Sequence, residues 1–289
     1  MDYEGQICRA PMERSSFMLP VMVGCSYNKC RFCMLFKHLK YRELPLEQIE
    51  QELQRVTKIN GNPKTVFLGD GNAFCLTTEQ LLQILDLVHQ YFPACQEINM
   101  DATVTSIAEK STEQLRALRE AKVHRLYLGI ESGLDDVLAF MQKDHTIAQA
   151  YQQIARIQEL GFIYDAHMMT GIAGHGRGQE NAEQLAAFFN RTQPGRIINF
   201  SLFLHRSSPL SRDIQKGTFT PADELENLQE ESRLLELLEL KHTEYDGFHD
   251  FIEFRVRGTL PEDKAKMLAS LDKAIEAQED KEALFSYIA

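Results

Sequence analysis

Leu19-Pro-Val-Met-Val-Gly-Cys-Ser-Tyr-Asn-Lys-Cys-Arg-Phe-Cys33 begins as a short apolar run, stops at Gly24 and opens into a loop carrying three cysteines. The run suits a buried strand, and the glycine after it delivers the loop at the strand's C-terminal end. Four residues separate Cys25 from Cys30 and two separate Cys30 from Cys33. Three thiolates this close together can wrap one face of a metal centre and leave a coordination position for something other than protein. His38, five residues after Cys33, would complete a tetrahedral zinc site, so structural zinc stays open as a rival. A disulfide framework fits poorly, because three cysteines cannot pair evenly and Met1-Asp-Tyr-Glu-Gly5 does not begin a secretion signal. Cys8, Cys75 and Cys95 are scattered singly and read as small buried or incidental residues.

Working outward, helices and strands alternate. Ile49, Leu53 and Val56 recur at helical spacing after Leu46, and Asn60-Gly-Asn-Pro63 stops the pattern. A strand from Lys64 to Leu68 follows, then a helix to Tyr91 whose start carries the capping-box spacing Thr77/Gln80. The alternation continues with a strand at Glu97–Ala102, a helix capped by Ser111 and a strand at Val123–Ile130. Further helices follow Gly133 and span Thr146–Leu160, before a fifth strand at Phe162–Thr170. A helix at Gln179–Thr192 leads to a sixth strand at Arg196–Leu204. Thr220-Pro221 supplies a cap and a first-position proline for an acidic helix to Leu240. Six alternating units predict an α/β fold, a partial (β/α)6 TIM-like barrel over residues 1–240 with a short C-terminal extension at 241–289 covering the barrel or substrate side. In such a barrel the chemistry sits at the C-terminal ends of the strands.

Composition narrows the function class. The chain has 289 residues, 44% of them hydrophobic, enough for a full core. Its formal net charge is −11 with no long basic run, which weighs against a nucleic-acid partner. No apolar run approaches a membrane span, so a cytoplasmic protein with no membrane partner is expected.

Short polar or glycine-rich motifs fall at the strand ends. Gly69-Asp70-Gly71-Asn72 closes the second strand, where glycines around a small acid allow close backbone approach to a ligand, although a plain tight turn uses the same residues. Asp101 ends the third strand, and Leu128-Gly-Ile-Glu-Ser-Gly133 puts Glu131 at the mouth of the fourth. Met141-Gln-Lys-Asp-His-Thr146 contains Lys143, and His167 lies in the apolar fifth strand as either a core histidine or a site residue. Gly171-Ile-Ala-Gly174 follows that strand.

The cysteine loop, with Phe32 before its last cysteine, resembles the cluster motif of the radical S-adenosylmethionine (radical SAM) enzymes; the common spacing there is three then two, and here it is four then two. Gly-Ile-Glu-Ser-Gly resembles the motif of the branch with methylthiotransferases, Elongator-type enzymes and oxygen-independent coproporphyrinogen oxidases, and bacterial radical SAM proteins share the CX4CX2C spacing. The resemblance runs over about residues 18 to 240 and implies a [4Fe-4S] cluster held by Cys25, Cys30 and Cys33. It further implies SAM contacts from Phe32, Gly69, Asp70, Gly71, Asn72, Asp101, Glu131, Lys143, His167 and Gly171. The implied activity is reductive cleavage of SAM to a 5′-deoxyadenosyl radical acting on a substrate the sequence does not identify, with an electron donor such as flavodoxin or ferredoxin. An RNA-modifying relative and a non-catalytic iron–sulfur or zinc protein are the alternatives. Where relatives read Pro-Gly-Thr-Pro-Leu after the sixth strand, this chain has His205-Arg-Ser-Ser-Pro. Beyond Leu240, Tyr245-Asp-Gly-Phe-His-Asp-Phe251 reads as too polar for a core helix, lying over the cavity or linking through solvent.

Overall fold

The structure, a computed structural model, describes residues 4 and 8–288. Apart from Glu4, the N-terminal stretch read for a secretion signal lies outside the described residues. Eight strands form one sheet whose order follows the chain: β1 (Phe17–Pro20), β2 (Thr65–Gly69), β3 (Glu97–Ala102), β4 (Val123–Glu131), β5 (Ile163–Thr170), β6 (Arg196–Ser201), β7 (Thr243–His249) and β8 (Phe254–Leu260). The α/β architecture is thus the expected one, with two further strands drawn from the stretch after Leu240.

The first compact unit comprises residues up to Asn28, Leu35–Leu128 and Gln152–Tyr164. Here β1, β2, β3 and β4 pair in parallel, with Phe17 opposite Val66, Thr65 opposite Glu97 and Asp101 opposite Tyr127. Helices α1 (Leu46–Thr57), α2 (Thr78–Tyr91) and α3 (Thr112–Glu120) make the crossovers. α1 buries Ile49, Leu53 and Val56, the stripe the spacing predicts. Both expected caps form as capping boxes: Thr77 with Gln80 and Ser111 with Gln114. A one-turn helix at Val104–Ala108, capped by Thr103, is additional.

The second unit comprises Lys29–Met34, Gly129–Tyr151 and Asp165–Ala289. In it β5 and β7 both pair in parallel with β6, and β8 returns antiparallel to β7. Its helices are α4 (Asp135–Phe140), α5 (Ile147–Glu159, shared with the first unit), α6 (Gly178–Thr192), α7 (Pro209–Gln215), α8 (Glu224–Leu237) and α9 (Lys264–Glu279). Two boundaries differ from expectation and one helix is additional, each for local reasons. The sixth strand ends at Ser201, and Leu204–His205 pairs separately with Tyr287–Ile288. Ser208-Pro209 starts α7, the serine hydroxyl accepting from the Ser211 N–H. α8 is capped by Asp223 with Glu226, three residues past Thr220, because an aspartate with a glutamate at N3 satisfies two end donors at once.

The segment Thr243–His249 is a sheet strand, with Tyr245 and His249 buried. Tyr245 and His249 are tolerated there because α8 supplies their partners. Glu231 takes Tyr245 Oη and Asn199 Nδ2 on Oε1, each at 2.8 Å, and lies 2.8 Å from His249 Nε2 through Oε2. Glu224 Oε2 lies 3.0 Å from His249 Nδ1. A side chain at Gly247 would collide with the Glu231 carboxylate, which explains the glycine in the middle of a strand.

Candidate functional site

In the first unit the base of the cysteine loop is fixed by a two-residue ladder, Met22 opposite Glu43 and Val23 opposite Arg42. Gly24 takes φ +79, the left-handed region glycine enters without penalty. Asn28 Nδ2 donates to the Phe36 carbonyl at 2.9 Å, and Lys37 Nζ donates to the Asn28 carbonyl. Cys25 is half-buried and His38 is exposed. Gly71, at φ +50, lies against the loop: a Cβ on it would sit 2.6 Å from the Gly24 carbonyl oxygen and 2.9 Å from Cys25 Cα. The turn after β2 is thereby packed onto the first cysteine, and only a glycine fits.

Around that turn, Asn72 Nδ2 donates to Ser26 Oγ at 3.4 Å and Thr103 Oγ1 at 3.2 Å, and its Oδ1 accepts from Ser106 Oγ at 3.3 Å. Asp70 is buried and accepts from the Cys8 N–H at 3.4 Å. Burial outweighs that bond and pushes its pKa up to about 6. Asp101 is pushed up to about 8, first by burial and then by the negative charges of Asp70 and Glu13. Glu13 is a carboxylate that sequence reading missed; it is buried and accepts from Asn99 Nδ2 at 2.9 Å and Tyr127 Oη at 2.6 Å.

In the second unit Arg31-Phe32, between Cys30 and Cys33, is clamped. The Arg31 N–H donates to the Met141 carbonyl at 3.0 Å, its carbonyl accepts from the Leu210 N–H at 3.2 Å, and its guanidinium pairs with Asp213 at 2.8 Å. Phe32 packs on the cluster of Leu134, Met141, Ile172 and Leu210. Glu131, at φ +64, bends back to Lys143, Nζ to Oε1 at 3.2 Å, with only 10% and 7% of the two side chains exposed. That backbone conformation costs a residue with a Cβ about 1–3 kcal/mol. Gly129 makes room, since a Cβ there would collide with Glu131 Oε1 and lie 3.0 Å from Lys143 Nζ. Burial disfavours the Lys143 charge, but Glu131, Cys30 and Asp144 together push its pKa up. His167 is held near 4 by burial and then by the charge of Lys143, so it is neutral at physiological pH.

The motifs Ser132-Gly133 and Gly171 are joined by residues the sequence did not single out. Asn181 Oδ1 accepts from Ser132 Oγ at 2.7 Å and the Gly133 N–H at 3.0 Å. Asn181 Nδ2 donates to Glu230 Oε1 at 2.7 Å, and Glu230 Oε2 accepts from the Gly171 N–H at 2.8 Å. Gly171, at φ +79, also abuts Asn227, whose Oδ1 a Cβ would strike. The three side chains of this relay are 0–1% exposed.

None of the six cysteines forms a disulfide. Among the described residues no three His, Cys, Asp or Glu side chains are gathered as for a single metal ion. A [4Fe-4S] cluster asks for a different donor set, one sulfur on each of three irons. Within the first unit the half-buried Cys25, with the cradle that Gly71 leaves it, suits a sulfur ligand of such a cluster, and within the second the half-buried Cys30 and Cys33, with the charge of Lys143 acting on Cys30, suit the same anionic group.

A family model described as the radical SAM superfamily matches residues 19–189. The heme chaperone HemW of Bacillus subtilis is 27% identical over 152 residues, 50% of this chain and 40% of that protein. The tRNA-2-methylthio-N(6)-dimethylallyladenosine synthase of Pelodictyon phaeoclathratiforme is 24% identical over 236 residues, 79% and 50% of the two chains. Coproporphyrinogen III oxidase (HemN) from Escherichia coli superposes with a TM-score of 0.55 at 17% identity, over 75% of this chain and 58% of that one. The methyltransferase TsrM from Kitasatospora setae gives 0.58 at 14% identity, over 70% and 39%. These structural likenesses carry the fold. The chain spans about half the length, or less, of the two curated relatives.

Proposed function

The chain belongs to the radical SAM superfamily, and on that premise we propose that it is an enzyme holding a [4Fe-4S] cluster on Cys25, Cys30 and Cys33 and reductively cleaving SAM. When bound, cluster and SAM together supply a 5′-deoxyadenosyl radical that takes a hydrogen atom from substrate, the electron coming from a donor such as flavodoxin or ferredoxin.

The chain's own residues bind, orient and exclude water. Phe32 and the Arg31 clamp hold the loop segment that carries Cys30 and Cys33. Gly69, Asp70, Gly71 and Asn72 form the turn that receives the SAM ammonium, with Asp101 behind it. Lys143 serves the SAM carboxylate and is kept charged beside Glu131. His167, neutral, and Gly171 border the nucleoside. Residues 1–240 form the SAM-handling core, and 241–289 lie on the substrate side. The single observation that carries this reading is the turn at Gly71 packed on Cys25, because it unites two motifs far apart in sequence at one strand mouth.

Among the described residues no helix is long and apolar enough to cross a membrane. A cytoplasmic setting suits thiols kept reduced. An RNA substrate is the second reading, favoured by the tRNA-modifying relative that aligns over 79% of this chain, although a net charge of −11 opposes a phosphate backbone. Anaerobic reconstitution followed by filter binding with unmodified tRNA tests it, retention at physiological salt favouring RNA.

A further inference from the structure

Cys75 is far from the cysteine loop in sequence and beside it in the fold. It ends a single turn, Ala73–Cys75, that follows directly on the Gly69–Asn72 motif after β2. The turn is fixed at both ends. Before it, the Asn72 carbonyl accepts from the Cys75 N–H at 3.1 Å, and Asn72 Nδ2 donates to the hydroxyl of Ser26, the residue after Cys25, at 3.4 Å. After it, the Leu76 carbonyl accepts from the buried Lys110 Nζ at 2.8 Å, and the same ammonium lies 5.1 Å from the centroid of the Phe74 ring. Gly71 closes the approach to the loop, since a Cβ on it would lie 2.9 Å from Cys25 Cα and 3.1 Å from Cys25 Cβ. All of these residues belong to the first unit.

The half-buried thiol that this turn presents has two polar partners. Cys75 Sγ lies 3.6 Å from Tyr41 Oη and is hydrogen-bonded to the Ser26 side chain. Tyr41 is itself placed by the ladder at the base of the loop, where its neighbour Arg42 pairs with Val23, and its hydroxyl also reaches Glu43 Oε1 at 3.4 Å. A tyrosine and a cysteine have one side-chain proton each. With Tyr41 donating to Cys75, the thiol proton is left for the side of Ser26 and Cys25. Hydrogen bonds given to the sulfurs of an iron–sulfur cluster favour its more negative, reduced form and so raise its reduction potential.

We propose that Cys75, oriented by Tyr41, is a positioning residue that gives a hydrogen bond at Cys25 and raises the reduction potential of the cluster without being one of its ligands. The inference rests on the radical SAM reading, in which Cys25 holds one iron. Cys25, Cys30 and Cys33 then decide whether a cluster is held, and the Tyr41–Cys75 pair decides how readily a flavodoxin- or ferredoxin-type donor reduces it.

Full-length protein, reconstituted anaerobically, is titrated with dithionite in the presence of redox mediators, and the reduced cluster is followed by electron paramagnetic resonance. Cys75→Ala should keep about four irons and lower the ratio of reduced to oxidised cluster at a fixed potential about threefold to tenfold, a midpoint about 30–60 mV more negative for a one-electron couple. Cys75→Ser keeps a donor and should bring the midpoint back towards that of the wild type, which a loss of packing would not do. Tyr41→Phe keeps the ring, loses the hydroxyl and should move the midpoint in the same direction as Cys75→Ala. A midpoint that stays in place in Cys75→Ala, or that falls equally in the alanine and serine variants, overturns the proposal and leaves the radical SAM reading standing. Loss of iron from both Cys75 variants overturns it as well, by making the thiol a ligand. Wild-type protein that holds no iron and sulfide overturns the radical SAM reading itself and the proposal with it.

Discussion

At the scale of single residues, Gly71 and Glu131 are the positions where the backbone yields to the site. Gly71→Ala forces a Cβ against the Gly24 carbonyl and Cys25 Cα, so it should lower iron retention while far-ultraviolet circular dichroism stays native. An alanine variant that holds as much iron as wild type would remove Gly71 from the cradle. Glu131→Gln keeps the shape and loses the charge facing Lys143. It should leave iron content unchanged and weaken SAM by about 1–3 kcal/mol, measured by equilibrium dialysis. Unchanged SAM affinity would return the pair to a purely structural role. Two buried groups set the alkaline limit of stability. Asp101, raised to about 8, favours its neutral form in the fold, so its contribution is full below the ordinary aspartate range and is lost as pH rises through about 8. Burial opposes the charge on His249, but Glu231 and Glu224 win and raise it to about 9; its contribution is full below the ordinary histidine range and is lost as pH rises through about 9. Tm should therefore fall between about pH 7 and about pH 9.5, and Asp101→Asn should flatten part of that fall; a Tm constant over the interval would contradict both shifts.

At the scale of elements, the relay through Asn181 and Glu230 joins the end of β4 to the turn after β5 by way of α6 and α8. Asn181→Leu leaves the Gly133 N–H and one Glu230 oxygen without their partner, at about 1–3 kcal/mol for each buried group. Calorimetry should show that loss, with a weaker apparent SAM affinity; a SAM affinity that does not move would confine the relay to stability. His249→Ala leaves two buried carboxylates without the cation between them and should cost about 3–5 kcal/mol. Most helices are legible in the sequence because local rules decide them: the Ile49/Leu53/Val56 stripe and the Thr77/Gln80 and Ser111/Gln114 boxes. The single strand expected over Leu19–Val23 is instead broken, the sheet strand ending at Pro20 and Met22–Val23 pairing separately with Arg42–Glu43. β7 is not legible in this way. Its buried His249 becomes admissible only through Glu224 and Glu231, 25 and 18 residues away, and no local pattern signals such a partnership. The cap at Asp223 was hidden for a different reason, since Thr220-Pro221 is an equally good start and only the Glu226 side chain decides between them.

At the scale of the whole molecule, the proposed site residues divide between the units: Asp70, Gly71, Asn72, Asp101 and Cys25 fall in the first, and Phe32, Glu131, Lys143, His167, Gly171, Cys30 and Cys33 in the second. The order of motifs along the chain made their positions at or after strand ends readable, because parallel strands alternate with helices in a fixed order. Glu13, Asn181, Glu230 and the Tyr41–Cys75 pair were not readable, since each takes its meaning from neighbours that only folding supplies. The most direct measurement is 5′-deoxyadenosine formation from SAM by anaerobically reconstituted, dithionite-reduced protein, alongside iron and sulfide analysis. Wild type, and alanine variants at Cys8, Cys75 or Cys95, should hold about four irons with matching sulfide and release 5′-deoxyadenosine, while alanine at Cys25, Cys30 or Cys33 abolishes both. Stoichiometric zinc without sulfide, and no 5′-deoxyadenosine from the wild-type protein, would contradict the assignment.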